Sequence, residues 1–402
     1  MTHYLDHAAT TPIRPSALEA WVEAQRELSV HPGNPASLHG GGRRAKRMLE
    51  DARERVAIAL GCEKPEVIFT SGATESDAIG VYGGALAGRA FNADRNTVLL
   101  SPVEHDAVGN QRENLESRGF AVELFPVASN GVCVIGTDAL AQVKDQCSLA
   151  SLTLVSSEIG TIQPVSQMVE ALDGRSMPIA QRPLTHTDAA QAMSLMDVSY
   201  VELGVDLMTV GGHKIGGPAG TGVLVARRGL KIPTDRPGGG HERGIRSGTP
   251  DVAGACAFAV ALEETVAQRQ EWQVRAALLR DHLTRALPDY ARLTVSPDDA
   301  LASIVHLSIP TSHPEAVLMA MDMADIHVSA GSACHAGVTR PSDVVLALGA
   351  TEAEALGVLR VSTGPDTTEA DIDAFVDALE RAVLAGQALD SHDRDRMHGR
   401  TH

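Results

Sequence analysis

Short apolar runs alternate with longer amphipathic stretches through the first two thirds of this 402-residue chain. Val67-Ile68-Phe69-Thr70 reads as a strand, because β-favouring residues run straight into the turn residues Ser71-Gly72. Val98-Leu99-Leu100, Leu152-Thr153-Leu154-Val155, Leu207-Met208-Thr209-Val210 and Gly222-Val223-Leu224-Val225 read the same way. Between these runs the period changes. Ala45, Met48, Leu49, Ala52, Val56, Ala59 and Leu60 recur at three- and four-residue steps with Arg and Glu between them, which predicts a helix with one buried face. Strands alternating with helices predict an α/β fold around a largely parallel sheet covered on both sides. Residues 233–250 are rich in Gly, Pro and charge and read as an ordered loop or a boundary. Long helical patterns follow over Val252 to Leu287, and then a second, shorter α/β section from Ile304 to about Leu384.

Composition narrows the functional classes. With 44% hydrophobic residues the chain can bury a sizeable core, and its net charge of -17 sets a field that opposes nucleic acid and anionic membranes. No apolar run approaches the roughly 20 residues that span a bilayer; the stretch Ala255 to Leu262 is far too short. The first residues lack a basic start followed by an apolar block. The expectation is a soluble cytoplasmic protein with no direct nucleic-acid or membrane partner. Five cysteines at wide spacing, without a C-x-x-C, argue against a disulfide framework and a thiolate zinc site. Cys62, Cys133, Cys147 and Cys256 read as small buried apolar residues. Cys334 differs, because it sits in Ser329-Ala330-Gly331-Ser332-Ala333-Cys334-His335-Ala336-Gly337, a run of small residues suited to a loop.

Ligands of open α/β sheets sit beyond the carboxyl ends of the strands, and the residues there form a chemical set. Ser71-Gly72-Ala73-Thr74 joins a strand to a helix start and offers free N–H groups to an anion, with simple capping by Thr74 as the bland alternative. His105 ends Pro102-Val103-Glu104-His105. Asp188 follows a short strand in Thr185-His186-Thr187-Asp188 and serves equally well as a helix cap. Lys214 sits in the glycine-lined turn Gly211-Gly212-His213-Lys214-Ile215-Gly216-Gly217, where desolvation lowers an amine's pKa and suits it to Schiff-base chemistry. Pyridoxal phosphate (PLP) needs an amine, a carboxylate for its pyridine nitrogen, a phosphate cradle and a stacking group. Lys214, Asp188, Thr74 with its neighbours, and His105 fill those roles in turn.

These motifs, together with Tyr4-Leu5-Asp6-His7-Ala8-Ala9-Thr10-Thr11-Pro12, Gly33-Asn34-Pro35-Ala36-Ser37-Leu38-His39, Arg246-Ser247-Gly248-Thr249 and Gly331-Ser332-Ala333-Cys334, make the chain resemble the cysteine desulfurases, fold-type I PLP enzymes related to class V aminotransferases. The resemblance implies a large PLP-binding domain over 14–255 and a smaller domain from 1–13 and 256–388; the polar composition of 389–402, rich in His, Arg and Asp, predicts a mobile tail. It implies that Lys214 binds the cofactor covalently, that His105 stacks on its ring and relays protons, and that Asp188 and Gln191 contact the pyridine nitrogen and the phenolic oxygen. Ala73, Thr74 and His213 would hold the phosphate, with Thr249 reaching it from the other subunit of a homodimer. Arg360 would pair with the carboxylate of L-cysteine, and Asn34 is a candidate second contact. Cys334 would attack the substrate sulfur, keep it as a persulfide and hand it to an acceptor protein for iron–sulfur cluster assembly or for tRNA or cofactor thiolation. It is also a candidate shared ligand of an iron–sulfur cluster.

Three positions depart from the family pattern. Ser157 stands where Asn is usual before Glu-Ile-Gly, Gly211 where a phosphate-binding Ser is common, and Ala78 where Asn is frequent. The alternatives are a selenocysteine lyase, a desulfurase dedicated to one pathway, or a non-catalytic scaffold of the same fold.

Overall fold

The computed structural model describes residues 2–136, 138–331 and 340–398. Twelve strands lie among them: β1 (His3–Tyr4), β2 (Val67–Thr70), β3 (Thr97–Leu100), β4 (Ala121–Leu124), β5 (Cys147–Ser151), β6 (Leu184–Asp188), β7 (Leu207–Gly211), β8 (Gly222–Ala226), β9 (Arg292–Leu293), β10 (Ile304–Ser308), β11 (Ile326–His327) and β12 (Val358–Ser362). Seven form the central sheet in the order β2-β8-β7-β6-β5-β3-β4. β7, β6, β5, β3 and β4 run parallel, and β8 is antiparallel to both its neighbours. All of these strands except the edge strand β4 are buried throughout, as expected where helices cover both faces of a sheet. The fold is α/β.

One of the expected strands is displaced. The apolar run Leu152–Val155 lies beyond the carboxyl end of β5, which spans Cys147–Ser151. The run had the apolar look of a strand, whereas the true strand carries serines whose hydroxyls are satisfied inside the core. Ser148 Oγ donates to the Thr97 carbonyl at 3.2 Å, and Ser151 Oγ lies 2.9 Å from His186 Nδ1. The run itself continues beside β6, with Leu154 N donating to the Asp188 carbonyl at 2.8 Å, and delivers residues 156–158 to the sheet end.

A second group of strands gathers the two ends of the chain. β12, β10 and β9 form an antiparallel sheet, and β1 pairs in parallel with β11, so the first residues return to the C-terminal section. The predicted helix around Ala45–Leu60 spans Gly40–Leu60, and the C-terminal helical pattern is one 35-residue helix, Val252–Ala286. The last helix runs from Glu369 to His398, so residues 389–398, expected as a mobile tail, continue a helix. Asp390 explains part of this, because its carboxylate accepts from Ser312 N at 3.2 Å.

Close contact between helix and sheet depends on missing side chains. The helical stretch that begins at Ala73 contains a π-helical turn, Ile79–Gly83, and continues as Gly84–Phe91. A Cβ on Gly80 would stand 2.7 Å from the His186 ring, and one on Gly88 only 2.2 Å from the Ser148 carbonyl oxygen. The helix therefore lies directly on β5 and β6.

Below the opposite, amino-terminal ends of β6 and β7 sits a fully buried ion pair. Arg182 reaches Asp206 with two N–H groups, at 2.6 and 2.8 Å, and neither side chain is exposed. Asp206 also accepts from Thr185 N at 3.1 Å and from Arg227 Nη1 at 3.0 Å. Removing one member of such a pair strands a charge, so Arg182→Ala should cost about 3–5 kcal/mol of folding free energy. Urea unfolding of the two proteins measures it, and a loss below about 1 kcal/mol would contradict the reading.

Candidate active site

The carboxyl ends of the parallel strands open into a cleft of about 950 Å³. Its lining includes Ala73 and Thr74 after β2, Glu104 and His105 after β3, Ser157 and Glu158 after β5, Asp188 at the end of β6 and His213 with Lys214 after β7. β12 adds Arg360, and Ser329, Gly331, Asp343 and Val344 complete the far wall. Seven of the residues singled out in the sequence thus meet around one space: Ala73, Thr74, His105, Asp188, His213, Lys214 and Arg360. Ser157 is an eighth.

Each is held by its local structure. Asp188 Oδ1 accepts from Ala190 N at 2.8 Å, so it braces the turn after β6 and also faces the cleft. His105 Nδ1 accepts from Ala107 N at 3.0 Å at the start of a short helix, which assigns the ring proton to Nε2. His213 Nδ1 lies 3.2 Å from Thr10 Oγ1 on the N-terminal segment. Arg360 donates from Nη1 to the Ser157 carbonyl at 2.7 Å and from Nη2 to Asp6 Oδ1 at 3.0 Å, and its buried Nε has no acceptor among the described residues. Thr74 does not cap the helix, since the cap position falls on Gly72. The N–H groups of the first turn are therefore left to a ligand or solvent.

Other expected residues lie elsewhere. Gln191 lines a smaller void of about 50 Å³ that shares Ala8 and Lys214 with the cleft, and its Nε2 donates to the Ala8 carbonyl at 2.8 Å. Gly211 packs under the helix start; a Cβ there would press on the Cβ of Ala73 at 3.3 Å, which gives the missing side chain a packing reason. Asn34 is exposed and folds its Oδ1 back onto Ala36 N at 2.8 Å, away from the cleft. Thr249 is exposed and does not line this chain's cleft; the sequence reading assigned it to the site of a second subunit. Cys334 lies outside the described residues, and the flanking Gly331 and Asp343 both reach the cleft wall.

Burial dominates the electrostatics. It lowers the pKa of Lys214, His105 and His213; the Lys214 charge pushes both imidazoles further, so they stay neutral near pH 7. Among the described residues no hydrogen bond or ion pair holds the Lys214 amine, which makes it a free buried nucleophile opposite Asp188. That set fits PLP: an amine, a carboxylate, and unsatisfied helix-start N–H groups beside neutral imidazoles.

Sequence reasoning passed over two buried acids. Glu104 is pushed up to about 8, first by burial and then by the Asp188 charge, while Thr153 N donates to its Oε1 at 2.9 Å. Asp77, fully buried with its Oδ1 3.6 Å from His186 Nε2, is raised well above the usual carboxylate range by burial and by Asp188. Neither carries a sequence signal, because only the fold shows that a Glu or Asp has lost its solvent.

The class V aminotransferase model matches residues 3–375. The chain belongs to the cysteine desulfurase branch of that family. It is 39% identical to the IscS-like cysteine desulfurase of Mycobacterium tuberculosis, over 94% of this chain and 96% of that one. Identity to cysteine desulfurase IscS 1 of Archaeoglobus fulgidus is 31%, over 94% and 96%. Among solved structures, a NifS-like protein superposes with a TM-score of 0.84 at 31% identity, covering 96% of this chain and 100% of that one. Proteins of this branch depend on PLP, and so does this desulfurase.

The acid beneath the cleft has a measurable consequence. Glu104 holds its proton to about 8 in the folded chain against 4.5 as a free side chain, so between those values the folded state binds the extra proton. Its contribution to stability is therefore complete below 4.5 and is lost as the pH rises through about 8. In the cofactor-free protein, Glu104→Gln should gain on the wild type across that window by at most about 1.4 kcal/mol per pH unit. A difference that does not change with pH in denaturant titrations would refute this.

Proposed function

We propose that this desulfurase converts L-cysteine to L-alanine and collects the sulfur as a persulfide on Cys334. The observation that carries the reading is the placement of Lys214 and Asp188 at the ends of adjacent strands, facing a cleft that Arg360 closes from the other section. PLP, when bound, supplies an electron sink for the charge left at the substrate Cα.

The chain's own groups do the rest. Lys214 holds the cofactor and afterwards moves the Cα proton; its desolvation keeps the amine basic but unprotonated often enough to act. Asp188 holds the pyridine nitrogen. His105, neutral with its proton on Nε2, stacks on the ring and passes a proton at that atom. Ala73, Thr74 and His213 hold the phosphate, and Ser157 takes the place of the usual Asn beside the phenolic oxygen. Gln191, whose Nε2 donates to the Ala8 carbonyl here, would be a second contact of that oxygen. Arg360 is oriented in advance by Ser157 and Asp6 and keeps its Nε–H for the substrate carboxylate. Asn34, exposed and folded onto Ala36, is left without a part in this site, and Thr249 completes the phosphate site of the second subunit in a homodimer.

In the transfer step the Cys334 thiolate attacks the substrate sulfur. An S–S bond forms, the substrate Cβ–S bond breaks, and the proton given up by the Cys334 thiol ends on the methyl group of alanine. The other thiols suit this poorly. Burial pushes Cys62 and Cys147 up to about 12, and Cys133 and Cys256 to about 11. An acceptor protein, an iron–sulfur scaffold or a thiolation enzyme, takes the sulfur onward in the cytoplasm. The intact set of Lys214, Asp188 and His105 favours turnover over a non-catalytic scaffold.

Two outcomes test this reading. Borohydride reduction of the cofactor-loaded protein should fix PLP on the peptide that contains Lys214, and Lys214→Ala should lose all turnover. Label on another lysine would refute the assignment. Cys334→Ala should keep its yellow cofactor absorbance and still bind cysteine, yet make alanine slower by on the order of a thousand-fold. Mass spectrometry of the cysteine-treated wild type should find one extra sulfur on the Cys334 peptide, and a persulfide mainly on another cysteine would overturn the transfer step.

A further inference from the structure

Glu158 stands where three separate parts of the chain converge. It belongs to the turn after β5, is 5% exposed and lines the cleft. Its Oε1 accepts a short hydrogen bond from Ser342 Oγ. Ser342 is itself fully buried, and the same hydroxyl accepts from Val345 N at 3.0 Å, capping the helix Asp343–Ala347. On the other side, a Cβ built on Gly331 would stand 2.8 Å from Glu158 Oε1, so the backbone at Gly331 passes directly over that oxygen. Gly331 follows Ser329, which is paired with Arg360 through two backbone bonds of 3.1 and 2.6 Å. The third contact is His306 on β10, whose Nε2 lies 3.7 Å from Oε1 and has no hydrogen-bond partner among the described residues, while its Nδ1 sits 2.8 Å from Thr294 Oγ1.

The two stems that meet at this oxygen, ending at Gly331 and resuming before Ser342, bracket the segment that carries Cys334. We propose that Glu158 is a positioning residue for sulfur transfer, fastening both stems to the turn after β5 and doing so most firmly as a carboxylate. The inference rests on the reading of Cys334 as the sulfur acceptor. A hydrogen bond to a charged acceptor is roughly twice as strong as one to a neutral acceptor, so the tie to Ser342 depends on the state of Glu158.

That state changes near neutrality. Burial pushes the Glu158 carboxyl up to about 7; Ser342 and Arg360 pull it down, and Asp106 and Asp343 push it up. The charged groups around it are thus Arg360 (itself paired with Asp6), Asp106 and Asp343. His306 is held neutral by burial and by the Arg360 charge, so it adds no charge beside the carboxyl. As pH falls through about 7 the carboxylate is lost, and the transfer step slows with it.

The test uses the cofactor-loaded enzyme in single turnovers with L-cysteine. Persulfide on Cys334 is followed by mass spectrometry, and cofactor absorbance reports cysteine binding. Glu158→Gln keeps the size and an acceptor oxygen but removes the charge. It should form persulfide roughly 5- to 10-fold more slowly at pH 8, lose the limb near pH 7, and leave absorbance and cysteine binding unchanged. Ser342→Ala, which keeps the carboxyl, should slow the same step and spare the same spectra, and it serves if Glu158→Gln folds poorly. A wild-type rate and pH profile in both variants would overturn the proposal, as would a changed cofactor spectrum or cysteine affinity in Glu158→Gln. A wild type that forms no persulfide on Cys334 would instead sink the reading on which the proposal rests.

Discussion

The adjacency of β6 and β7 is the constraint from which the site follows. Parallel pairing sets Asp188 opposite Thr209, so the carboxylate emerges from the sheet two residues before β7 ends at Gly211 and turns into His213 and Lys214. Arg182 and Asp206 secure the other ends of the same two strands, and the Asp206 bond to Arg227 extends the brace to the residue after β8. A buried ion pair is a weak source of net stability, because desolvation offsets most of its attraction. It is far better at forbidding alternatives, since any slip of one strand would strand a charge in the core. The amine and the carboxylate keep their separation because the far ends of their strands cannot move.

Burial also decides which groups in the cleft carry charge. Glu104 and Asp77 sit near Asp188 inside the protein, where three carboxylates could not all ionise. Burial raises the pKa of both Glu104 and Asp77, which favours the protonated form at these two positions. Lys214 lowers both neighbouring imidazoles in the same manner. Lys214, Arg112 and Arg360 share the lining with the acids Glu75, Asp106, Glu158, Asp188 and Asp343, so the charges of the cleft are mixed.

The two ends of the chain contribute through a different device. The first residues pair with β11 and pass beside β12, which sets Asp6 against Arg360 and Thr10 against His213. Arg360 is consequently held by an acid from residue 6 and a carbonyl from residue 157, and it orients toward the cleft before any ligand arrives. Glu158, one residue further along, ties that wall to the helix capped by Ser342. The proposed roles of Arg360 and Glu158 thus rest on one strand and one turn.

Much of this was legible in the chain itself. Local patterns determined the alternation of strands and helices, the glycine-lined turn around Lys214 and the motifs that carry the family, because turn chemistry and apolar period act over a few neighbouring residues. The strand Cys147–Ser151 escaped notice, since its serines are satisfied by Thr97, His186 and Glu104, which are distant in sequence. The same holds for the site. Lys214, Asp188 and His105 could be singled out from their surroundings and Arg360 from the resemblance, but the exposed Asn34 and the Gln191 amide turned to Ala8 could not have been foreseen. Glu104, Asp77 and Glu158 look like ordinary acids in the sequence. Their protonation and their partners depend on which side chains exclude water around them, and that is a property of packing that only the tertiary structure decides.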